Sequence, residues 1–236
     1  QYTSGAVTDG TSINAEEAAA STDRTVYVIG VFRGNTAKNV TTGKEYQTLT
    51  EALAAVSSTG AEIQLLNDPG KYYEESGAWA VAPGLTVTLD LNGRTLAGSL
   101  ANRGTLTLKD GSEAKAGKIV NSTAGTGEAV NKRSYALLND SGATLTLESG
   151  AIQDTGASYS AGVINNCGTI AKIGAVDIRS TSNYAVYNYG GTITEITGTT
   201  ITGRNGIYNR SVSGSTSSDG SPWTIAYTAK IGTIKD

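Results

Sequence analysis

Apolar and polar positions alternate with a period of two over most of this chain. The runs are short, rich in Thr, Val, Ile, Leu and Tyr, and broken about every five to eight residues by Gly, Ser or Asn. Such alternation predicts short strands with one buried face, joined by tight turns. A four-residue phrase recurs within the pattern: Ala136-Leu137-Leu138-Asn139, Gly162-Val163-Ile164-Asn165, Ala185-Val186-Tyr187-Asn188 and Gly206-Ile207-Tyr208-Asn209. Three copies are followed by a Gly and a Thr-rich strand, and a fainter copy reads Asn102-Arg103-Gly104-Thr105-Leu106-Thr107-Leu108. The asparagines are spaced by 37, 26, 23 and 21 residues. A drifting period in the low twenties predicts stacked coils, each too small to bury its apolar face without its neighbours. The expected fold is therefore all-β, a parallel β-helix. Leu137, Val163, Val186 and Ile207 are expected in one interior column and Leu145, Ile170 and Ile193 in another.

The turns of such a coil leave backbone N–H and C=O groups outside the strand ladders. An inward amide, with two donors and an acceptor, can satisfy them rung after rung, and Asn tolerates the left-handed backbone of tight turns. Asn102, Asn139, Asn165, Asn188 and Asn209 are accordingly expected to form a structural ladder.

The first third is patterned differently. Residues 1–23 are small and polar and read as an N-terminal arm, followed by one β-helix domain over 24–236. Thr25-Val26-Tyr27-Val28-Ile29-Gly30-Val31-Phe32 reads as a strand. Apolar positions at Leu49, Ala52, Leu53 and Val56 predict a helix near 47–57, capped at its start by Thr48 or Thr50. A strand over 62–66 and a break at Asn67-Asp68-Pro69-Gly70 follow. Laid across the first coil, such a helix would cover ladder edges that otherwise template aggregation.

Three runs carry a family resemblance: Tyr46-Gln47-Thr48-Leu49-Thr50-Glu51-Ala52-Leu53, Glu62-Ile63-Gln64-Leu65-Leu66-Asn67-Asp68 and Val87-Thr88-Leu89-Asp90-Leu91-Asn92-Gly93-Arg94-Thr95-Leu96. Together they resemble the N-terminal cap and first rungs of pectin-lyase-like right-handed β-helix proteins. They are especially similar to the secreted or wall-associated surface proteins of Gram-positive anaerobes. The resemblance spans roughly residues 45–210. It implies a right-handed coil and leaves activity open, because the family includes lyases, hydrolases, adhesins and inert stalks.

Composition narrows the chemistry. A net charge of −3 over 236 residues gives no basic footprint for nucleic acid, and no apolar run is long enough to insert in a membrane. With no His in the chain, neither a Ser-His nor a Cys-His nucleophile can be built. Cys167, between Asn166 and Gly168, reads as a turn residue of a rung. Asp110, Asp140, Asp154, Asp177 and Glu195 fall at different points of their rungs, Asp177 and Arg179 read as a surface ion pair, and Asp90 belongs to the fold signature. No metal or cofactor is expected, nor catalysis. Sequons at Asn39, Asn121, Asn139 and Asn209, two of them in the expected ladder, argue against a glycosylating source. The absence of Met, including at position 1, is expected of a mature chain after signal-peptide removal, hence extracellular or at the cell surface.

Two outward sets remain. Tyr184, Tyr187, Tyr189 and Tyr208, with Trp223 beyond, are expected to form an aromatic strip for sugar rings or another protein, or merely to cover strand edges. Thr105/Thr107, Thr144/Thr146 and Thr192/Thr194 suggest a hydroxyl array, interrupted at Ala171. The C-terminal stretch 223–234 reads as strand with no capping helix, an edge open to a second molecule. The expected function is a non-catalytic extracellular structural or surface protein. Its partner is another copy, in head-to-tail filaments built through the N-terminal arm and C-terminal edge, or else a surface glycan bound as an adhesin or polysaccharide-active module would bind it.

Overall fold

The computed structural model describes residues 34–57, 59–121, 135–154, 162–181, 184–211 and 230–235. The arm over 1–23, the strand expected over 25–32, and Trp223 lie outside the described residues.

The described chain opens with β1 (Ala37–Asn39), β2 (Glu45–Tyr46) and helix α1 (Leu49–Ala54), then β3 (Ala61–Leu65). The coil proper runs through β4 (Ala78–Val81), β5 (Thr86–Asp90), β6 (Thr95–Ala97), β7 (Ser99–Asn102), β8 (Thr105–Lys109) and β9 (Lys118–Asn121). It continues with β10 (Leu137–Asn139), β11 (Thr144–Asp154), β12 (Gly162–Asn166) and β13 (Thr169–Arg179). The last strands are β14 (Tyr184–Tyr189), β15 (Thr192–Thr197), β16 (Thr200–Thr202), β17 (Asn205–Arg210) and β18 (Lys230–Lys235). Among the described residues pairing is antiparallel only where β1 meets β2 and β3.

Everywhere else strands stack in parallel on three faces, which makes the molecule a parallel β-helix. One face stacks β3, β5, β8, the start of β11, the start of β13, β15 and β18. A second stacks β6, β9, the ends of β11 and β13, and β16. The third stacks β4, β7, β10, β12, β14 and β17. Strands β11 and β13 are long because each runs through the corner between two faces, and Gly150 (φ 107°) takes that corner in β11.

Registered stacking turns the alternation into interior columns. Val87, Leu106, Leu145, Ile170, Ile193 and Ile231 form one, joining the three residues expected together. Ile63, Leu89, Leu108, Leu147, Ile173, Ile196 and Ile234 form a second, and Leu96, Ile119, Ile152, Ile178 and Ile201 a third. The fourth column corrects an expectation: Ile164, not Val163, lies between Leu137 and Val186. Because strand side chains alternate with period two, a slip of one residue exchanges the faces.

Helix α1 is shorter than expected, and Thr48 is its cap. The Thr48 Oγ1 accepts from the Glu51 N–H at 3.1 Å, and the Glu51 carboxylate accepts from the Thr48 N–H at 3.3 Å, a reciprocal capping box. Leu49, Ala52, Leu53 and Val56 are buried in the core at this end. Glu75 ties the helix to the coil, its Oε1 accepting from the Thr50 N–H at 3.0 Å and from the Trp79 indole N–H at 2.8 Å.

Candidate functional site

The polar ladder takes its register from the turns. Asn102 Nδ2 donates to Asn139 Oδ1 at 2.8 Å, Asn139 to Asn166 at 2.7 Å, Asn166 to Asn188 at 2.7 Å and Asn188 to Asn209 at 2.6 Å. Each Nδ2 also donates to a backbone carbonyl near the start of a first-face strand: Thr144, Thr169, Thr192 and Gly191 respectively. The ladder therefore supplies acceptors and donors that the turns lack, at about 1 kcal/mol net per bond. The expected member Asn165 is not in it. Asn165 lies beside Leu138 and Tyr187 in register, fully buried, with neither amide atom hydrogen-bonded. The turn explains the choice, since Asn166-Cys167-Gly168-Thr169 repeats the spacing of Asn102-Arg103-Gly104-Thr105 and a Cβ on Gly168 would lie 2.4 Å from the Asp140 carbonyl.

A second set of polar groups went unread in the sequence. Asp90, Asp110 and Asp154 close turns between faces of the coil. Asp90 Oδ1 accepts from the Asn92 and Gly111 N–H groups at 2.9 and 2.6 Å, and its Oδ2 from the Gln64 amide at 3.1 Å. Asp110 accepts from the N–H groups of Gly93, Ser112 and Gly117 at 2.8, 3.1 and 2.5 Å. Asp154 accepts from the Thr181 N–H and hydroxyl at 2.9 and 2.8 Å and from the Ser180 hydroxyl at 3.1 Å. Burial alone would push the Asp110 carboxyl up, but these N–H donors hold it below its ordinary value. The available signal was the turn chemistry after β5 and β8, Asp90-Leu91-Asn92-Gly93 and Asp110-Gly111-Ser112. Asp177 and Arg179 do pair, at 2.7 Å. Among the described residues no group of three or more His, Cys, Asp or Glu is placed to hold a metal ion.

Cys167 follows the Asn166 rung as a turn residue. Its N–H donates to the Asn139 carbonyl at 2.8 Å, and burial pushes its thiol up to about 12.

The structure brings the four tyrosines together and changes what they offer. Ring centroids lie 5.7 Å apart for Tyr184 and Tyr187, 4.5 Å for Tyr184 and Tyr208, and 5.5 Å for both Tyr187–Tyr189 and Tyr187–Tyr208, with planes within 25°. Rings stacked in this way present their faces to one another. Tyr187 is only 4% exposed, so it is not part of an outer strip. Tyr208 is 38% exposed, and on its side away from β14 no described ring covers it. The Arg210 guanidinium lies 5.7 Å from the centre of the Tyr189 ring and is held above its usual range by a hydrogen bond to Tyr187.

These ladders all reach the same end. The last described strands are β16, β17 and β18, one on each face, and the columns they terminate lose their cover. Ile201, Ile207 and Ile231 are half-buried. Ile196 is 4% exposed, whereas Ile234, next in its column, is 67% exposed. Asn209 and Tyr208 are exposed beside them. The two ends of the described coil thus differ: α1 lies against the first, and no described element lies beyond β17 and β18. Among the described residues no helix is long and apolar enough to cross a membrane. No family model matches the chain, and comparison with curated proteins and with solved structures finds no match to either.

Proposed function

We propose that the protein is a non-catalytic structural protein of the extracellular space or cell surface that assembles end-on through its C-terminal edge, with the N-terminal arm contributing to filaments. The exposure of Ile234 carries the reading. Its column is sealed from Ile63 through Ile196 and then ends in an aliphatic side chain facing solvent, on a strand paired on one side only among the described residues. An open parallel edge with apolar teeth pairs readily with another chain. The engagement of Asp90, Asp110 and Asp154 with backbone N–H groups of the turns supports a structural role, because carboxylates so bound are poor general acids or bases. The sequence resemblance to wall-associated β-helix proteins points to the same compartment.

Sedimentation velocity and negative-stain microscopy of the full chain test this. Species larger than monomer are expected, and Ile234→Lys, at a solvent-facing position, abolishes them without lowering the thermal midpoint. A chain that stays monomeric across concentration overturns the reading.

Tyr208 and Arg210 favour a second reading, in which the coil end binds a surface glycan as an adhesin. A free aromatic face beside a guanidinium suits a sugar ring, and an acidic one best. Binding on a glycan array lost with Tyr208→Ala supports it; silence across the array counts against it.

A further inference from the structure

We propose that β18 pairs with β18 of a second copy, antiparallel and about a two-fold axis, so that the two C-terminal edges cover each other. The inference rests on the end-on assembly reading and names the surface that this edge meets.

The edge has a specific signature. In the first face, interior positions near this end are three apart: Ile170 and Ile173, Ile193 and Ile196, Ile231 and Ile234. The spacing arises because β13 carries an extra residue, Ala171, against β11, and the strands stacked on β13 inherit it. The isoleucines of β13 and β15 are at most 4% exposed, whereas Ile231 is half-buried and Ile234 is 67% exposed. A strand that seals this rung must therefore present aliphatic side chains inward at i and i+3. A strand of strict period two turns one of that pair outward.

The open edges of the described sheets are β2, β4 and β6 toward the first coil and β16, β17 and β18 at the last. β2 is only Glu45-Tyr46. β6 and β16 each bring one aliphatic to their column, Leu96 and Ile201. β4 buries Trp79 and Val81, two apart, and β17 turns Ile207 and Asn209 to their columns, also two apart. Among the described edges, only β18 carries the spacing that β18 requires. A head-to-tail contact, which would set it against β2, β4 or β6, leaves one of the two columns unsealed.

The pattern of β18 also survives reversal. An axis normal to the sheet, passing between Gly232 and Thr233, keeps the inner face inner and exchanges the two isoleucines. The second copy's Ile234 then lies beside Ile231, and its Ile231 beside Ile234. Both columns gain the neighbour that the inner rungs already have, and apolar surface leaves water on both copies. At the centre Gly232 comes opposite Thr233, so no two bulky side chains meet there. At the ends Lys235, which is exposed beside Glu195, comes opposite position 230, also Lys. The pairing is therefore expected to tighten as added salt screens these like charges. A two-fold contact closes on itself, so this edge yields a dimer, and a filament needs a second contact elsewhere on the molecule.

Cross-linking in full-length protein carrying Cys167→Ser decides the matter. The two-fold axis brings Thr233 beside its own equivalent, within the reach of a disulfide, which head-to-tail contact does not. Thr233→Cys alone is expected to give a disulfide-linked dimer under mild oxidation, with the thermal midpoint of the parent. Thr105→Cys, exposed on the same face but far from the edge, is expected to give none. Sedimentation of the parent is expected to show a dimer that tightens from low to high salt, and one that weakens overturns the antiparallel register. If Ile234→Lys abolishes assembly but Thr233→Cys links no faster than Thr105→Cys, self-pairing of β18 is wrong and end-on assembly stands. If the parent stays monomeric at every concentration, both fail.

Discussion

Asn139 donates from its Nδ2 to the Oδ1 of Asn166 at 2.7 Å across 27 residues of chain, and the adjacent Asn165 takes no part. One position separates Asn166, whose amide has three hydrogen-bond partners, from Asn165, whose amide has none. The energetic difference is large enough to test.

Replacing Asn139 by Ala removes the acceptor of Asn102 and leaves the Thr169 carbonyl without its amide donor. A loss of about 1–3 kcal/mol in unfolding free energy is expected for buried groups left unpaired. Asn165→Leu removes two unpaired buried amide atoms beside Leu138, and is expected to hold or raise stability. Denaturant midpoints of the two variants settle it; equal losses would mean that the ladder does not run through Asn166.

Asp110 predicts an acid limb. Because its folded value lies below the ordinary carboxylate value, its contribution is complete at neutral pH, persists above the unfolded value near about 4, and is lost as pH falls through the folded value. Stability of the parent is therefore expected to fall below about pH 4, while Asp110→Asn, weaker at neutral pH, shows a shallower fall. Unfolding curves taken from pH 7 to pH 2 check the slopes, and parallel slopes would remove Asp110 as a source.

The half-buried thiol of Cys167, at about 12, is nearly all protonated at pH 8. Alkylation in the native protein is expected to be far slower than after unfolding in guanidinium. Equal rates, read by mass spectrometry, would show that the turn around Asn166 opens freely.

One column contrasts a sealed position with an open one. Ile196→Ala is expected to cost about 2–5 kcal/mol as a buried truncation. Ile234→Ala, at an exposed position of the same column, is expected to stay within about 0.5 kcal/mol in the monomer. Chemical denaturation at low protein concentration compares them directly, and a large loss at Ile234 would show that the end is covered.

Much of the architecture was legible because the coil repeats its constraints. Leu145, Ile170 and Ile193 could be aligned from the Gly and Thr before them, and they do share a column. Thr48 and Glu51 spell a capping box three residues apart, so the helix that covers the first rung could be expected. The tyrosines could be grouped by their equivalent positions, but whether their faces meet solvent or one another depends on ring orientation between strands. The roles of Asp90 and Asp154 depend also on N–H groups 21 and 27 residues away, those of Gly111 and Thr181, which no local pattern displays.

By itself the sequence determined that the chain winds into stacked parallel strands with aliphatic columns and amide turns, since period-two alternation repeated every twenty-odd residues has few other ways to bury its apolar face. Tertiary structure decided the register and the ends. It chose Asn166 over Asn165, both fully buried, because a slip of one residue exchanges the two faces of the strand and only the contacts of the adjacent rungs select which amide meets the ladder. It also left Ile234 in solvent, because the burial of a residue in a coil is conferred by the rung above it.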